Sequence, residues 1–360
     1  MHLCFSISAH GLGHGAISTT VIERIMEDFP EIKITVLTLL PKSYLDSRLS
    51  GPFTYIASGH DFGMLMHSPI EVDVQSSRIK YQHLFANWQQ VVNQEMTLLK
   101  QIKPDCVLSN ISPITLDAAM QLNIRTASVA PFNWAQIYQR YCLDEQQVET
   151  QAVYKRMLAV YNRVDYIYKP LPSVPFSGAN EIKLASINSQ PQGQLQKLLE
   201  YLPQGTNKVA LVALGGLPIS LDFTNWPVIP GWHWLVDQPG HLLRNDMTQV
   251  KELEMPFLQL VGSCDLILTK PGYGTYCEIA AIAAQKKIRV ISLARPDWPE
   301  TPFLNPFLAA RVPFAEIHID SLQGEELTAV MEKLNALAYP QEQICEDGAL
   351  QLIKHLLAQL

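Results

Sequence analysis

Thr269-Lys270-Pro271-Gly272-Tyr273-Gly274-Thr275-Tyr276-Cys277-Glu278 is flanked by two apolar runs of different kinds. Before it, Asp265-Leu266-Ile267-Leu268 reads as a short buried strand of a parallel sheet. After it, Ile279-Ala280-Ala281-Ile282-Ala283-Ala284 reads as a buried helix. Two glycines therefore fall in a strand-to-helix turn. Such a turn aims backbone N–H groups, and the positive end of a helix dipole, at whatever lies above it, and phosphate is the usual guest. The reading places Glu278 in the first helical turn, with a carboxylate able to accept two hydroxyl hydrogens from a ribose. The bland alternative is a tight turn followed by a helix-favouring glutamate, and short motifs often mean no more than that.

The other end of the chain repeats the arrangement. Leu3-Cys4-Phe5-Ser6-Ile7-Ser8 is a short strand, His10-Gly11-Leu12-Gly13-His14-Gly15 a glycine loop, and a helix is predicted over 18–29, before a second strand, Ile32 to Thr38. Gly11 to Ala16 fits G-x-G-x-x-A, a form of the dinucleotide fingerprint. That fingerprint expects a carboxylate about 20 residues on. Val36-Leu37-Thr38-Leu39-Leu40-Pro41 supplies none, which argues against NAD. His10 and His14 are four apart, a metal-ligand spacing only within a helix. Three glycines argue against that helix, and no metal is expected. His14 reads either as a general base at a pocket mouth or as a hydrogen-bonded loop histidine without chemistry.

Between these ends the pattern alternates strand and helix, which implies parallel sheets. Residues 42–80 are irregular, and His60-Asp61 and His67 read as solvated loop residues rather than cleft residues. A single helix is predicted over 81–102. The loops after the next strands, Asn110-Ile111-Ser112 and Pro131-Phe132-Asn133-Trp134, fall on the same sheet edge as His14 and are site candidates. Trp134 reads equally as a face for stacking a sugar and as a core aromatic. Prolines 170, 172 and 175 open a polar stretch read as a linker over 170–190. A second α/β set follows, with a strand from Val209 to Leu214 ending in Gly215-Gly216. A polar loop runs from Arg295 to Phe303, and a helix closes the chain over 348–360.

The 360 residues suggest two domains, 1–170 and 190–345, with a final helix, 346–360, packing back on the first. A formal net charge of −7 without a basic run argues against nucleic-acid binding. The six cysteines lack a C-x-x-C pair and read as buried thiols. No secretory signal and no transmembrane segment are read, so a cytoplasmic protein is expected.

These elements resemble the GT-B glycosyltransferases, an α/β fold of two Rossmann-like domains facing a cleft. Gly13-His14 is similar to the glycine–histidine of their first loop. Gly272 to Glu278 resembles the G-x-x-T-x-x-E of the peptidoglycan N-acetylglucosaminyltransferase, where the glutamate holds the donor ribose. A closer resemblance is to the glycosyltransferase-like N-terminal half of plant L-arabinokinases. It rests on His10 to His14, Ser109 to Pro113, Phe132-Asn133-Trp134, Gly215-Gly216, Pro230-Gly231-Trp232, Gly272 to Thr275 with Glu278, and Glu300 to Phe303. The kinase half has no counterpart, and sugar-kinase activity is not expected.

The resemblance implies an inverting, metal-independent transferase, without a cofactor. It would move a sugar, most simply a hexose, from a nucleotide-sugar, a UDP-sugar by preference, to an unknown hydroxyl acceptor. His14 would be the base and Asn110 its orienter. The donor would lie against Gly13, Gly215, Gly216, Phe257, Lys270, Gly272, Tyr273, Gly274, Thr275 and Glu278, with Glu300 and Asn305 on sugar hydroxyls. The acceptor would meet His10, Ser112, Asn133 and Trp134. The chain departs from the family at Asn110, where relatives carry an aspartate: an amide orients an imidazole but supplies no charge to an imidazolium. A non-catalytic nucleotide-sugar-binding module, and an epimerase or hydrolase on the same fold using Asp117, Asp297 or Glu300, are the alternatives.

Overall fold

The computed structural model describes residues 1–176, 180–190, 192–215, 221–237, 244–322, 324–341 and 347–360. The chain opens with β1 (His2–Ile7), α1 (Gly13–Asp28), β2 (Lys33–Thr38), α2 (Lys42–Asp46) and β3 (Thr54–Ile56). A short ribbon of β4 (Met66–Ser68) and β5 (Glu71–Val72) leads to α3 (Val74–Ala86) and α4 (Trp88–Ile102). Then come β6 (Cys106–Asn110), α5 (Pro113–Gln121), β7 (Arg125–Val129), α6 (Trp134–Tyr141), α7 (Val148–Tyr161), β8 (Tyr166–Pro170) and β9 (Glu181–Leu184). Seven of these strands form one sheet in the order β3-β2-β1-β6-β7-β8-β9. Every neighbouring pair is parallel.

Beyond β9 run α8 (Leu195–Leu199), β10 (Lys208–Ala213), β11 (Trp232–Val236), β12 (Met247–Gln249), α9 (Phe257–Ser263), β13 (Leu266–Thr269), α10 (Tyr273–Ala283), β14 (Arg289–Leu293), α11 (Thr301–Ala309), β15 (Phe314–Ile317), α12 (Gly324–Ala336) and α13 (Gly348–Leu357). Their sheet has the order β12-β11-β10-β13-β14-β15, again parallel throughout. The chain divides into two compact units: Met1–His67, Glu71–Asn188 and Glu346–Leu360 in one, Ser68–Ile70 and Ser189–Cys345 in the other. The last helix belongs to the first. Tyr168 Oη and His355 Nδ1 lie 2.8 Å apart, and Gln351 accepts the Ala185 N–H at 2.8 Å.

The strands are apolar without alternation because helices cover both faces. Five of six residues in β1 are buried. On α1, Ile17, Val21, Ile22 and Ile25 share one buried face, each contributing about 1.5–3 kcal/mol by burial. In the second unit Leu327, Met331 and Leu334 of α12 pack on Val212, Trp234, Leu268 and Ile291. No described helix is long and apolar enough to cross a membrane.

Three local readings change. The predicted helix over 81–102 is two helices, broken at Asn87, whose side chain donates to the His83 carbonyl at 2.9 Å. A side chain that bonds its own backbone competes with helix continuation. The stretch read as a linker carries β9, a short edge strand with a half-exposed pattern. The first helix starts five residues early, at Gly13, in spite of two glycines in its first turn. Glycine costs about 1 kcal/mol in a helix interior, and the tertiary contacts of His14 outweigh it.

Candidate active site

In each sheet the chain steps outward from the first strand, then returns to lay a later strand on its other side. That reversal leaves a crevice outside the carboxyl ends of β1 and β6 in the first unit, and of β10 and β13 in the second. Open α/β sheets bind ligands at such switch points.

In the first unit the two strand ends are tied by the Ser8 N–H, which donates to the Asn110 carbonyl at 2.7 Å. His14 is the second residue of α1 and only 5% exposed. Asn110 Nδ2 donates to the His14 carbonyl at 3.1 Å and to Ser18 Oγ at 3.2 Å. A carbonyl only accepts, so the amide nitrogen faces it and the amide oxygen faces the ring. That oxygen lies 2.7 Å from His14 Nδ1, which therefore carries the hydrogen and leaves the lone pair on Nε2. Burial lowers the His14 pKa to about 4, and the Asn110 contact only partly opposes it. Phe132 and Trp134 wall the ring at centroid distances of 5.6 and 5.3 Å. The site thus holds a neutral, oriented imidazole. His10 stands before the helix, edge-on to Trp134 at 5.2 Å, and its Nδ1 accepts the Met64 N–H at 3.4 Å. Among the described residues no group of three His, Cys, Asp or Glu is placed to hold a metal ion.

Three residues singled out for the acceptor are occupied otherwise. Ser112 caps α5, accepting the Thr115 N–H at 3.3 Å. Asn133 caps α6 in a reciprocal capping box with Gln136. Trp134 is 0% exposed, so its ring is a wall of the core and offers no stacking face. Its indole N–H donates to Asp61 Oδ2 at 2.8 Å, and Ser8 Oγ donates to the same oxygen. Asp61 is therefore not the solvated loop residue expected. Burial raises its pKa. Gly63 makes this approach feasible, since a Cβ there would lie 2.5 Å from Trp134 Cη2 and 2.7 Å from His10 Cγ.

In the second unit Thr269 Oγ1 donates to the Ala213 carbonyl at 2.7 Å and ties β13 to β10. Gly215 follows β10 in the left-handed region, with φ +87, and Gly216 lies outside the described residues. A Cβ on Gly215 would lie 3.5 Å from Lys270 Cε and 3.9 Å from Lys270 Nζ. A Cβ on Gly272 would lie 4.0 Å from the same Nζ, with nothing nearer than the Lys270 carbonyl at 3.8 Å. The Lys270 ammonium therefore stands between the two glycine turns. Among the described residues it makes no hydrogen bond or ion pair. Burial and then Arg295 lower its pKa to about 8, against the pull of Glu300.

The helix after the turn begins at Tyr273, with Gly272 as its cap. The N–H groups of Gly272, Gly274 and Thr275 thus precede the first intrahelical donor, the Tyr276 N–H, which bonds the Gly272 carbonyl at 3.1 Å. Gly274 is the second helical residue rather than part of the turn. Glu278 falls in the second helical turn, not the first, and is 2% exposed. The earlier helix start moves it there. Beyond β14, Arg295 stacks on Trp298 with Cζ 3.9 Å from the ring centroid. The Trp298 indole donates to Glu300 Oε2 at 2.8 Å, while Oε1 has no partner among the described residues. Burial raises Glu300 to about 7, opposed by Trp298, Arg295 and Lys270. Asn305 Oδ1 lies 3.1 Å from the Tyr276 hydroxyl, inside the unit, and Phe257 begins α9 half-buried. Asp61 was read as solvated because its partners, Ser8 and Trp134, lie on other elements; Arg295, Trp298 and Glu300 partner one another within one loop.

No family model matches the chain. The L-arabinokinase of Arabidopsis thaliana is 24% identical over 319 residues, 85% of this chain but 30% of that protein. The chain thus spans under a third of the curated relative it matches. Among solved structures, the glycotransferase of kitacinnamycin superposes with a TM-score of 0.66 at 13% identity, covering 100% of this chain and 99% of that one. Arabidopsis thaliana UGT89C1, complexed with UDP, gives 0.59 at 14%, covering 99% of each. The UDP-GlcNAc 2-epimerase from Methanocaldococcus jannaschii gives 0.56 at 12%, covering 99% and 100%. The chain has the GT-B fold of two Rossmann-like units.

Proposed function

We propose that the protein is a glycosyltransferase that moves a hexosyl group from a UDP-sugar to a hydroxyl acceptor, with inversion and without a metal ion. The observation that carries this reading is the Lys270 ammonium, set between Gly215 and Gly272 at the switch point of the second unit without an acceptor among the described residues. A desolvated cation beside helix N–H groups is chemistry for a diphosphate. Among the described residues nothing requires glycine at 272, because its φ of −165 is extended and a Cβ there would meet nothing nearer than 3.8 Å. Close approach of a ligand supplies the reason. Glu278, from the second turn, would take the ribose hydroxyls, and Glu300 Oε1 a sugar hydroxyl.

In the reaction the acceptor hydroxyl gives its proton to His14 Nε2 as its oxygen attacks the anomeric carbon. The bond from that carbon to the diphosphate breaks on the opposite face, and configuration inverts. Lys270 and the N–H groups of α10 hold the departing charge by fixed dipoles and one cation.

The test is calorimetric binding of UDP, UDP-glucose, UDP-N-acetylglucosamine, GDP, ATP and NAD to wild type, Lys270→Ala and Glu278→Ala. Uridine nucleotides should bind, and both variants should weaken them. At one hundred times its Kd a ligand also stabilises the fold by about 2.7 kcal/mol, readable as a thermal shift. Binding of NAD alone, or uridine affinity untouched in both variants, would sink the reading. Asn110 and the likeness to an epimerase favour a second reading, in which the bound sugar itself is the substrate. A C2 epimer formed from UDP-N-acetylglucosamine alone, followed by proton NMR, would establish that one instead.

A further inference from the structure

We propose that Asp61 is a positioning residue for the base: it tethers the Trp134 indole, and the tethered ring keeps the His14 imidazole dry and poised. Its use in catalysis rests on the transferase reading above; the tether and its effect on His14 do not.

His14 is neutral because burial disfavours its charged form. Two aromatic rings wall the imidazole, Phe132 at 5.6 Å and Trp134 at 5.3 Å. Trp134 opens α6, a helix of 8 residues whose start is fixed by the Asn133 cap. Packing confines its ring, and the indole N–H sets the orientation. That N–H donates to Asp61 Oδ2 at 2.8 Å, and Ser8 Oγ at 3.3 Å is the weaker alternative. Asp61 can anchor the ring because it is itself tied down. The Ser8 hydroxyl donates to the same Oδ2 and accepts the Ile111 N–H at 3.0 Å. Ser8 follows β1 and Ile111 follows β6, so the anchor is fixed to both strand ends of the crevice. Residues 57–65 hold neither helix nor strand. Beyond Asp61, the Met64 N–H donates to His10 Nδ1 at 3.4 Å and the Leu65 N–H to Ser77 Oγ at 2.9 Å. Side-chain hydrogen bonds thus close this segment on Trp134, where Gly63 leaves room for the ring.

Without the Asp61 carboxyl group the buried indole N–H keeps only the longer Ser8 contact. An unsatisfied buried donor favours any turn of the ring that brings it to water. Water that follows the ring solvates the imidazolium, and the base loses its low pKa. Asp61 acts by accepting, and charge is not required. Burial raises its pKa, the two hydrogen bonds oppose that, and Oδ2 accepts in either form. The titratable groups beside Trp134 are His10, edge-on at 5.2 Å, and Tyr161, whose hydroxyl takes the Trp134 backbone N–H at 3.4 Å. Tyr81 and Glu95 bear on Asp61. Through the range in which His14 titrates, burial holds Tyr81, Tyr161 and Glu95 protonated.

The test is NMR of the uniformly 15N-labelled full chain, without nucleotide. In wild type the Trp134 indole N–H should exchange slowly with solvent, and the His14 ring should titrate near pH 4. Asp61→Ala should shift the indole resonance and raise the His14 pKa by about one pH unit or more, toward the ordinary 6.5. Asp61→Asn keeps an acceptor oxygen and should return both signals to their wild-type positions. If Asp61→Ala does not fold, Asp61→Leu takes its place, filling the same volume without an acceptor. An aspartate that only stabilised its own loop would leave the His14 pKa where it is. Rapid exchange of the indole N–H in wild type, a His14 pKa that Asp61→Ala leaves in place, or an asparagine variant that behaves like the alanine one would each overturn the tether. Calorimetry with UDP on the same samples separates the two proposals: no UDP binding removes the transferase reading and leaves the tether to be decided by the NMR.

Discussion

At the switch point of the first unit the central side chains are saturated: His14 is held by Asn110, and Asn110 by a carbonyl and a serine. At the switch point of the second unit the central side chain is a lysine with no acceptor among the described residues, between two glycines. The topology is the same, and the electrostatic finish is opposite. A satisfied buried network fixes one geometry. An unpaired, desolvated charge costs stability and is characteristic of functional sites. On the proposed function, the first crevice orients a neutral base and the second receives an anion.

The sharpest way to break this contrast is His14→Ala. Loss of general base catalysis should lower kcat by about 10²–10⁴-fold while UDP affinity in calorimetry stays at the wild-type value. Equal losses in both would mean that the two crevices do not divide the work. Next in size is Lys270→Ala. A charge-assisted hydrogen bond is worth about 1.5–3 kcal/mol, so UDP affinity should fall by about 10–100-fold. The melting temperature should hold or rise, because the ammonium has no partner among the described residues. A clear fall in melting temperature would show a structural lysine instead.

Asn110→Asp sharpens the first half. A carboxylate against Nδ1 should raise the His14 pKa from about 4, and NMR titration of the ring should see it move up. No movement would mean that a group other than residue 110 sets the ring's environment. The smallest effect belongs to Glu300→Gln. The folded pKa of Glu300 is raised to about 7 above an ordinary value of 4.5, so folding takes up a proton. That stability is fully present below about pH 4.5 and is lost as pH rises through 7. Denaturant melts should therefore find the variant and wild type alike in acid. Near pH 8 the variant should gain on the order of 2 kcal/mol. A gain that does not depend on pH would leave the raised pKa without support.

Much of the fold is legible because its signals are local. Unbroken apolar runs of four to six residues mark doubly covered parallel strands, and glycines after them mark the turns at the sheet edge. Helix starts were harder. At Gly13 and at Tyr273, contacts made elsewhere outweigh a glycine that argues locally against a helix. Side-chain roles were harder again. A serine or asparagine before a helix is equally a cap and a ligand in sequence, and Ser112 and Asn133 are caps here. Trp134 has the composition of a sugar platform and the environment of a core residue.

By itself the sequence determined that two parallel α/β sheets would form and that glycine turns would sit at their carboxyl edges. Covalent order and residue type suffice for that, through strand periodicity and backbone freedom. Only the tertiary structure decided which nitrogen of His14 keeps its lone pair, that Lys270 has no acceptor among the described residues, and that Asp61 takes the Trp134 indole N–H. Tautomer, desolvation and charge balance depend on neighbours brought from far along the chain, 96 residues in the case of His14 and Asn110, and sequence spacing carries no record of them.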